Sequence, residues 1–248
     1  MQHDANEIIQ SERIFTKEAI VPFYNVDYLQ RMKTSAILRE FSQIAGEDYA
    51  SRGMTHHFLA AHGGAFLVSR IACRILRYPS HEEPIVISTW EPERRGPQFI
   101  RSYDMRDGNG ELFAEAESGW LYVEIETRKI TRPRDFPWAY PLIDRDTDIR
   151  IAKIGVATGD CVSEHRVTYS ETDANGHLYN ATYGDLITDT LEPQEYERGV
   201  AEIRINYVHE AKHGDIIRIF REEGDADILL TGKIGEAVCF ESKLTLNQ

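Results

Sequence analysis

VTYSETDANGHLYN (167–180) lies over VPFYNVDYLQRMKT (21–34) without a gap, setting Asp173 on Asp27. Few residues match, but the segments that come next in the chain match in kind. After the first copy comes TSAILREFSQIAGEDYASRG (34–53), where Ile37, Leu38, Phe41, Ile44 and Ala45 recur at helical spacing. Thr34 or Ser35 can cap this helix and Gly53 can end it. After the second comes NATYGDLITDTL (180–191), a short helix stopped before Pro193.

Extended segments complete each half. SERIFTKEAIV (11–21) precedes the first helix; AFLVSRIACRILRY (65–78), PIVISTWE (84–91), QFIRSYDMRD (98–107) and ELFAEAESGWLYVEIE (111–126) come after it. Asp107-Gly108-Asn109-Gly110 is a hairpin turn, because Gly and Asn tolerate the positive φ it needs. SEHRVTYS (163–170) opens the second half, and AEIRINYV, DIIRIFREE, DILLTGKIG and AVCFESKLTL close it as strands. Between the halves, Pro133, Pro137, Pro141 and the charged DRDTD read as a linker crossing the surface. The expectation is an α+β chain made of two similar units, 1–130 and 161–248, joined by 131–160.

Composition narrows the function. Apolar residues make up 42% and charged residues 28%, enough for a globular core. A net charge of -13 argues against nonspecific nucleic-acid binding, which needs a basic face. Three scattered cysteines, Cys73, Cys161 and Cys239, make neither a disulfide framework nor a zinc cluster. The polar N-terminus is not a signal peptide, and no run approaches the ~20 apolar residues of a membrane span. A cytoplasmic protein is expected.

Two motifs carry chemistry. DANGHLYNATY (173–183) has an ordinary explanation as a helix entry, where Asp173, Asn175 and Asn180 satisfy free N–H groups. His177 is not needed for that. The second motif, His209-Glu210-Ala211-Lys212-His213, spells the zinc-protease pattern, which requires a helix to bring both histidines to one face. Here it sits between an alternating strand and the Gly214-Asp215 turn, and no histidine occurs in 214–248. A charged loop is the better reading. His56, His57 and His62 read as a solvated loop beside Gly63-Gly64. There is no G-x-S-x-G, Walker or dinucleotide glycine motif.

Taken together, RILRYPSHEEPIVISTW (74–90), SGWLYVEIETRKITRPRDFP (118–137) and DANGHLYNATY resemble the acyl-acyl-carrier-protein thioesterases, the fat-forming thioesterases of plants and their bacterial relatives. The likeness runs from about Ser11 to Leu246. It implies two tandem hot-dog folds, each an antiparallel sheet wrapped around a helix. It also implies a catalytic set of Asp173, Asn175, His177 and Glu210, with NYVHEAK (206–212) aligned on the family's catalytic-Glu segment. Two positions depart from the family: Ala211 stands where a Cys is found, which excludes a cysteine nucleophile there, and Tyr179 replaces the first of a pair of Asn.

The implied reaction is hydrolysis of an acyl-carrier-protein thioester to free fatty acid, ending chain synthesis, with no metal or cofactor required. The partner is an acyl carrier protein bearing an acyl-phosphopantetheine. Such carriers are acidic, so docking needs a local basic patch; Arg31, Lys33 and Arg39, or Arg94 and Arg95, are candidates. Alternatives within the fold are an acyl-coenzyme A thioesterase and a non-catalytic acyl-binding protein. The first hot dog is expected to house the acyl chain, with Ile37, Phe41 and Ile44 sharing one helix face and Asn180 also contacting substrate. Two fused hot dogs can act as one unit or pair again as a homodimer.

Overall fold

The computed structural model describes residues 14–138 and 140–248; residues 11–13 of the first expected strand lie outside it. Each half opens with a strand, β1 (Phe15–Ile20) and β7 (Asp160–Arg166). A tight turn then leads into a helix, α1 (Thr34–Ser51) and α3 (Thr182–Thr188). A second, shorter helix comes next in each, α2 (His56–Ala61) and α4 (Pro193–Arg198). The first half continues as β2 (Gly64–Ile75), β3 (Pro84–Arg95), β4 (Gln98–Arg106), β5 (Leu112–Glu124) and the two-residue β6 (Ile130–Thr131). The second continues as β8 (Val200–Tyr207), β9 (Ile216–Glu223), β10 (Ile228–Ile234) and β11 (Ala237–Leu246).

All of these strands belong to one sheet. Its order is β1-β3-β4-β5-β2-β8-β11-β10-β9-β7, with β6 pairing β5. Read inward from either edge, the halves have the same order. They meet where β2 pairs antiparallel with β8, from Arg70 opposite Asn206 to Arg74 opposite Glu202. α1 and α3 lie against each other, and one apolar cluster runs through both halves, with Ile37, Phe41 and Ile44 of α1 beside Leu186 and Ile187 of α3. Gly184 makes that approach feasible, since a Cβ there would lie 3.1 Å from Leu38 Cδ1 and from Ser35 Cα. This is the double hot-dog arrangement.

Local details depart from the sequence reading for physical reasons. Neither Thr34 nor Ser35 caps α1: the cap residue is Lys33, without a side-chain cap bond, and Ser35 Oγ donates instead to Asp185 at the base of α3. The stretch holding His56 and His57 is helical rather than loop, its first turn closed by Thr55 Oγ1 accepting from Phe58 N at 3.1 Å. The connection between halves packs down: Phe136, Trp138 and Tyr140 are buried in a second aromatic cluster with Tyr49, Phe99 and Tyr122.

Behind that cluster lies a dry ionic network. Arg101 is 1% exposed and donates to Asp48 at 2.9 Å and Glu91 at 2.7 Å. Arg52 pairs with Asp48 at 3.0 Å, Arg94 pairs with Glu91, and the Tyr140 hydroxyl donates to Glu91 at 2.6 Å. Burial by itself pulls Arg101 toward losing its proton; the Glu91 carboxylate and the other acidic groups around it outweigh that and hold it well above its usual range.

Candidate active site

The Asp173–His177 turn is built by its own sequence. Asp173 Oδ1 accepts from the backbone N–H of Asn175 at 2.8 Å and of His177 at 3.3 Å, and the His177 carbonyl accepts from Asp173 N at 2.8 Å. Gly176 sits at φ 76°, the left-handed conformation the turn demands. Leu178 N then donates to Ala211 O at 2.8 Å, and His177 bridges Lys212. Those contacts lay the turn against the loop after β8. That loop is not helical at 209–213, so the two histidines of the HEAKH motif do not share a helix face.

The two expected motifs therefore meet. His177 Nε2 lies 3.2 Å from Glu210 Oε2, with the side chains 20% and 30% exposed. Asn175 Nδ2 is 3.4 Å from Asp173 Oδ2. Asn180 sits one turn on, its side-chain oxygen 3.4 Å from Ser42 Oγ of α1 and its carbonyl accepting from the Tyr207 hydroxyl at 3.0 Å. Ala211 is fully buried and carries no reactive group.

Two side chains of the first half, neither among the expected site residues, join the site. Arg128, on the turn between β5 and β6, donates to Glu210 Oε2 at 2.7 Å. His56 Nε2 of α2 lies 3.3 Å from Asn175 Oδ1. Both sit far in sequence from the residues they touch; Arg128 falls in the 118–137 segment that carries the resemblance, but its contact with Glu210 is not marked there.

Arg128, Asp173, Asn175, His177, Asn180 and Glu210 line a depression of about 570 Å³ walled by both halves. Through Ser42, Gln43, Phe66 and Trp120 it adjoins a second, mostly apolar one of about 370 Å³, formed by Gly46, Ala50, Met54 and Leu59. Ile37, Phe41 and Ile44 line neither; at 0–1% exposure they are filled core. Several expected docking cations are also committed elsewhere. Arg94 is tied into the buried network, Arg95 holds Glu117 at 3.0 Å, and Arg31 donates to the carbonyls of Tyr196 and Glu197.

The first half repeats the turn without its chemistry. Asp27 Oδ1 accepts from Leu29 N at 2.9 Å and Arg31 N at 3.0 Å, Gln30 takes φ 62°, and Arg31 bridges Ser80 as His177 bridges Lys212. Tyr78 thus holds the place of Glu210, with the Arg31 guanidinium 5.2 Å above its ring. This cluster lines a separate cavity of about 430 Å³ that shares no residue with the first.

Residues 12–137 match the acyl-ACP thioesterase N-terminal domain and residues 157–247 the acyl-ACP thioesterase C-terminal domain. The fold is that of an acyl-ACP thioesterase from Bacteroides thetaiotaomicron (TM-score 0.87, 22% identity, covering 94% of this chain and 98% of that one). It is also that of a 12:0-ACP thioesterase from Umbellularia californica (TM-score 0.80, 15% identity, 94% and 97%). Among curated proteins no relative matches by sequence. A double hot-dog fold with this domain pair defines a thioester hydrolase. The chain belongs to the acyl-ACP thioesterase family, whose reaction is hydrolysis of acyl-ACP thioesters. No described helix is long and apolar enough to cross a membrane.

Proposed function

We propose that Glu210 is the general base of this hydrolysis and that Asp173, Asn175 and His177 complete its site. The observation that carries the reading is the 3.2 Å approach of His177 to Glu210 in a depression that shares four wall residues with an apolar one. Glu210 takes a proton from water as the water oxygen attacks the thioester carbon. Asn175 and a backbone N–H near the start of α3 face the carbonyl oxygen as it becomes negative. His177 orients Glu210 and returns a proton to the departing thiolate. Asp173 fixes the turn, and Asn180 holds the strand end against α1.

In this reading the second half, from about residue 161, supplies the chemistry. The first, to about 130, supplies the acyl groove, and the connection between them supports it. The acyl chain runs from the site past Phe66 and Trp120 toward Met54 and Leu59. The substrate is a carrier protein bearing an acyl-phosphopantetheine, and the product is the free acid that leaves chain synthesis. The three free cysteines suit a reducing cytoplasm.

Glu210→Gln keeps the shape and removes the basicity. Turnover of acyl-ACP should fall on the order of 10²–10⁴-fold with an unchanged melting curve. Full activity in the folded variant removes Glu210 from the mechanism. Running the same acyl groups on carrier protein and on coenzyme A checks the partner.

A further inference from the structure

We propose that Arg128 is a positioning residue of the hydrolytic site, clamping one oxygen of Glu210 so that the other faces water. The proposal rests on Glu210 being the base. Both close contacts to its carboxylate, from Arg128 Nη2 at 2.7 Å and from His177 Nε2 at 3.2 Å, fall on Oε2. That leaves Oε1 as the oxygen available to accept from the nucleophile. A carboxylate held by one oxygen between two nitrogens has a defined plane; one held by His177 alone can turn.

The backbone at Arg128 supports a dedicated role. Its φ is 58°, a conformation that costs a non-glycine residue roughly 1 kcal/mol or more. The turn enforces it. Arg128 N donates to Glu124 O and Glu124 N to Lys129 O, both at 2.9 Å, while Thr127 Oγ1 donates to Glu124 Oε2 at 2.7 Å. The turn is tethered to β5, whose Trp120 and Val123 wall the same depression. The guanidinium thereby reaches from the first half across to the loop after β8. Its side chain is 61% exposed, so the ion pair itself adds little to stability.

The charged neighbourhood sets the expected signature. Glu210 is met by His177 from the 173–177 turn and by Arg128 from the β5–β6 turn, with His209 and Lys212 near it in its own loop; Asp173 and Asn175 line the same depression, and His56 of α2 lies against Asn175. Without the Arg128 contact the carboxylate is held by His177 alone and can turn, so the expected signature is a loss of kcat with KM little changed.

The experiment compares Arg128→Gln, Arg128→Lys and Glu210→Gln on acyl-ACP, with kcat and KM measured separately. Arg128→Gln should lower kcat about tenfold with KM little changed. Arg128→Lys should restore part of that loss. An unchanged kcat, or a rise in KM alone, overturns the proposal, the latter making Arg128 a carrier-docking residue. Loss of activity in Glu210→Gln alongside unaltered Arg128 variants sinks this inference while leaving the base assignment standing. Full activity in Glu210→Gln sinks both.

Discussion

Gly46 offers the most direct handle on acyl-chain length. It lies in the middle of α1 on the exposed face with Gln43 and Ala50, and all three border the apolar depression. A Cβ built there meets no heavy atom within 4 Å. The first carbon of a side chain there therefore displaces no protein atom, and Gly46 itself borders the groove. Glycine in a helix interior costs roughly 0.5–1 kcal/mol relative to alanine, so Gly46→Ala should raise the melting temperature by about 1–4 °C. Gly46→Leu adds four carbons to the groove and displaces about that many acyl methylenes, each worth about 0.8 kcal/mol when buried. The total, roughly 3 kcal/mol, predicts that kcat/KM for an acyl chain filling the groove falls on the order of 10²-fold relative to one four carbons shorter. The assay is competitive hydrolysis across even-numbered acyl-ACPs, with thermal unfolding in parallel. Ile44→Phe is the control: it overpacks filled core, costing about 1–3 kcal/mol of stability with no change in length profile. A stable Gly46→Leu enzyme with the wild-type profile would refute the groove as the acyl site.

The packing sets two further outcomes. Arg101→Leu leaves two buried carboxylates short of a partner, and unfolding in denaturant should show a loss of about 3–5 kcal/mol; a loss under about 1 kcal/mol would mean that Arg52 and Arg94 satisfy Asp48 and Glu91 alone. Titration with a tight substrate analogue should count one hydrolytic site per chain, since Tyr78 and Arg31 stand where Glu210 and His177 stand; two equivalent sites would contradict that assignment.

The legible part of the sequence was the part that repeats or alternates. The Asp173–His177 turn showed because Asp, Gly and their spacing dictate its bonds, and its gapless echo at Asp27 showed because the same turn is built there. α1 was legible from its apolar period, but that period marks the residues a helix buries. It singled out Ile37, Phe41 and Ile44, which fill the core, and passed over Gly46 and Ala50, because a groove is defined by side chains too small to register. The six-residue α2 and α4 are shorter than two turns and leave no periodicity to read. Arg128 stands in the 118–137 segment that carries the resemblance, but its reach to Glu210 is a fact of topology, since β5 carries its turn to the seam.

The internal twofold has a consequence for how the molecule can change. In a pair of identical chains every substitution strikes both mouths at once, so neither can be altered without the other. Here the two turns are separate stretches of one chain, and the cavities they border have no residue in common. With hydrolysis assigned to Glu210 as proposed above, the molecule has a working end and a blind end. Residues around Tyr28 and Tyr196 border the other cavity, and labelling or anchoring there is expected to leave turnover intact.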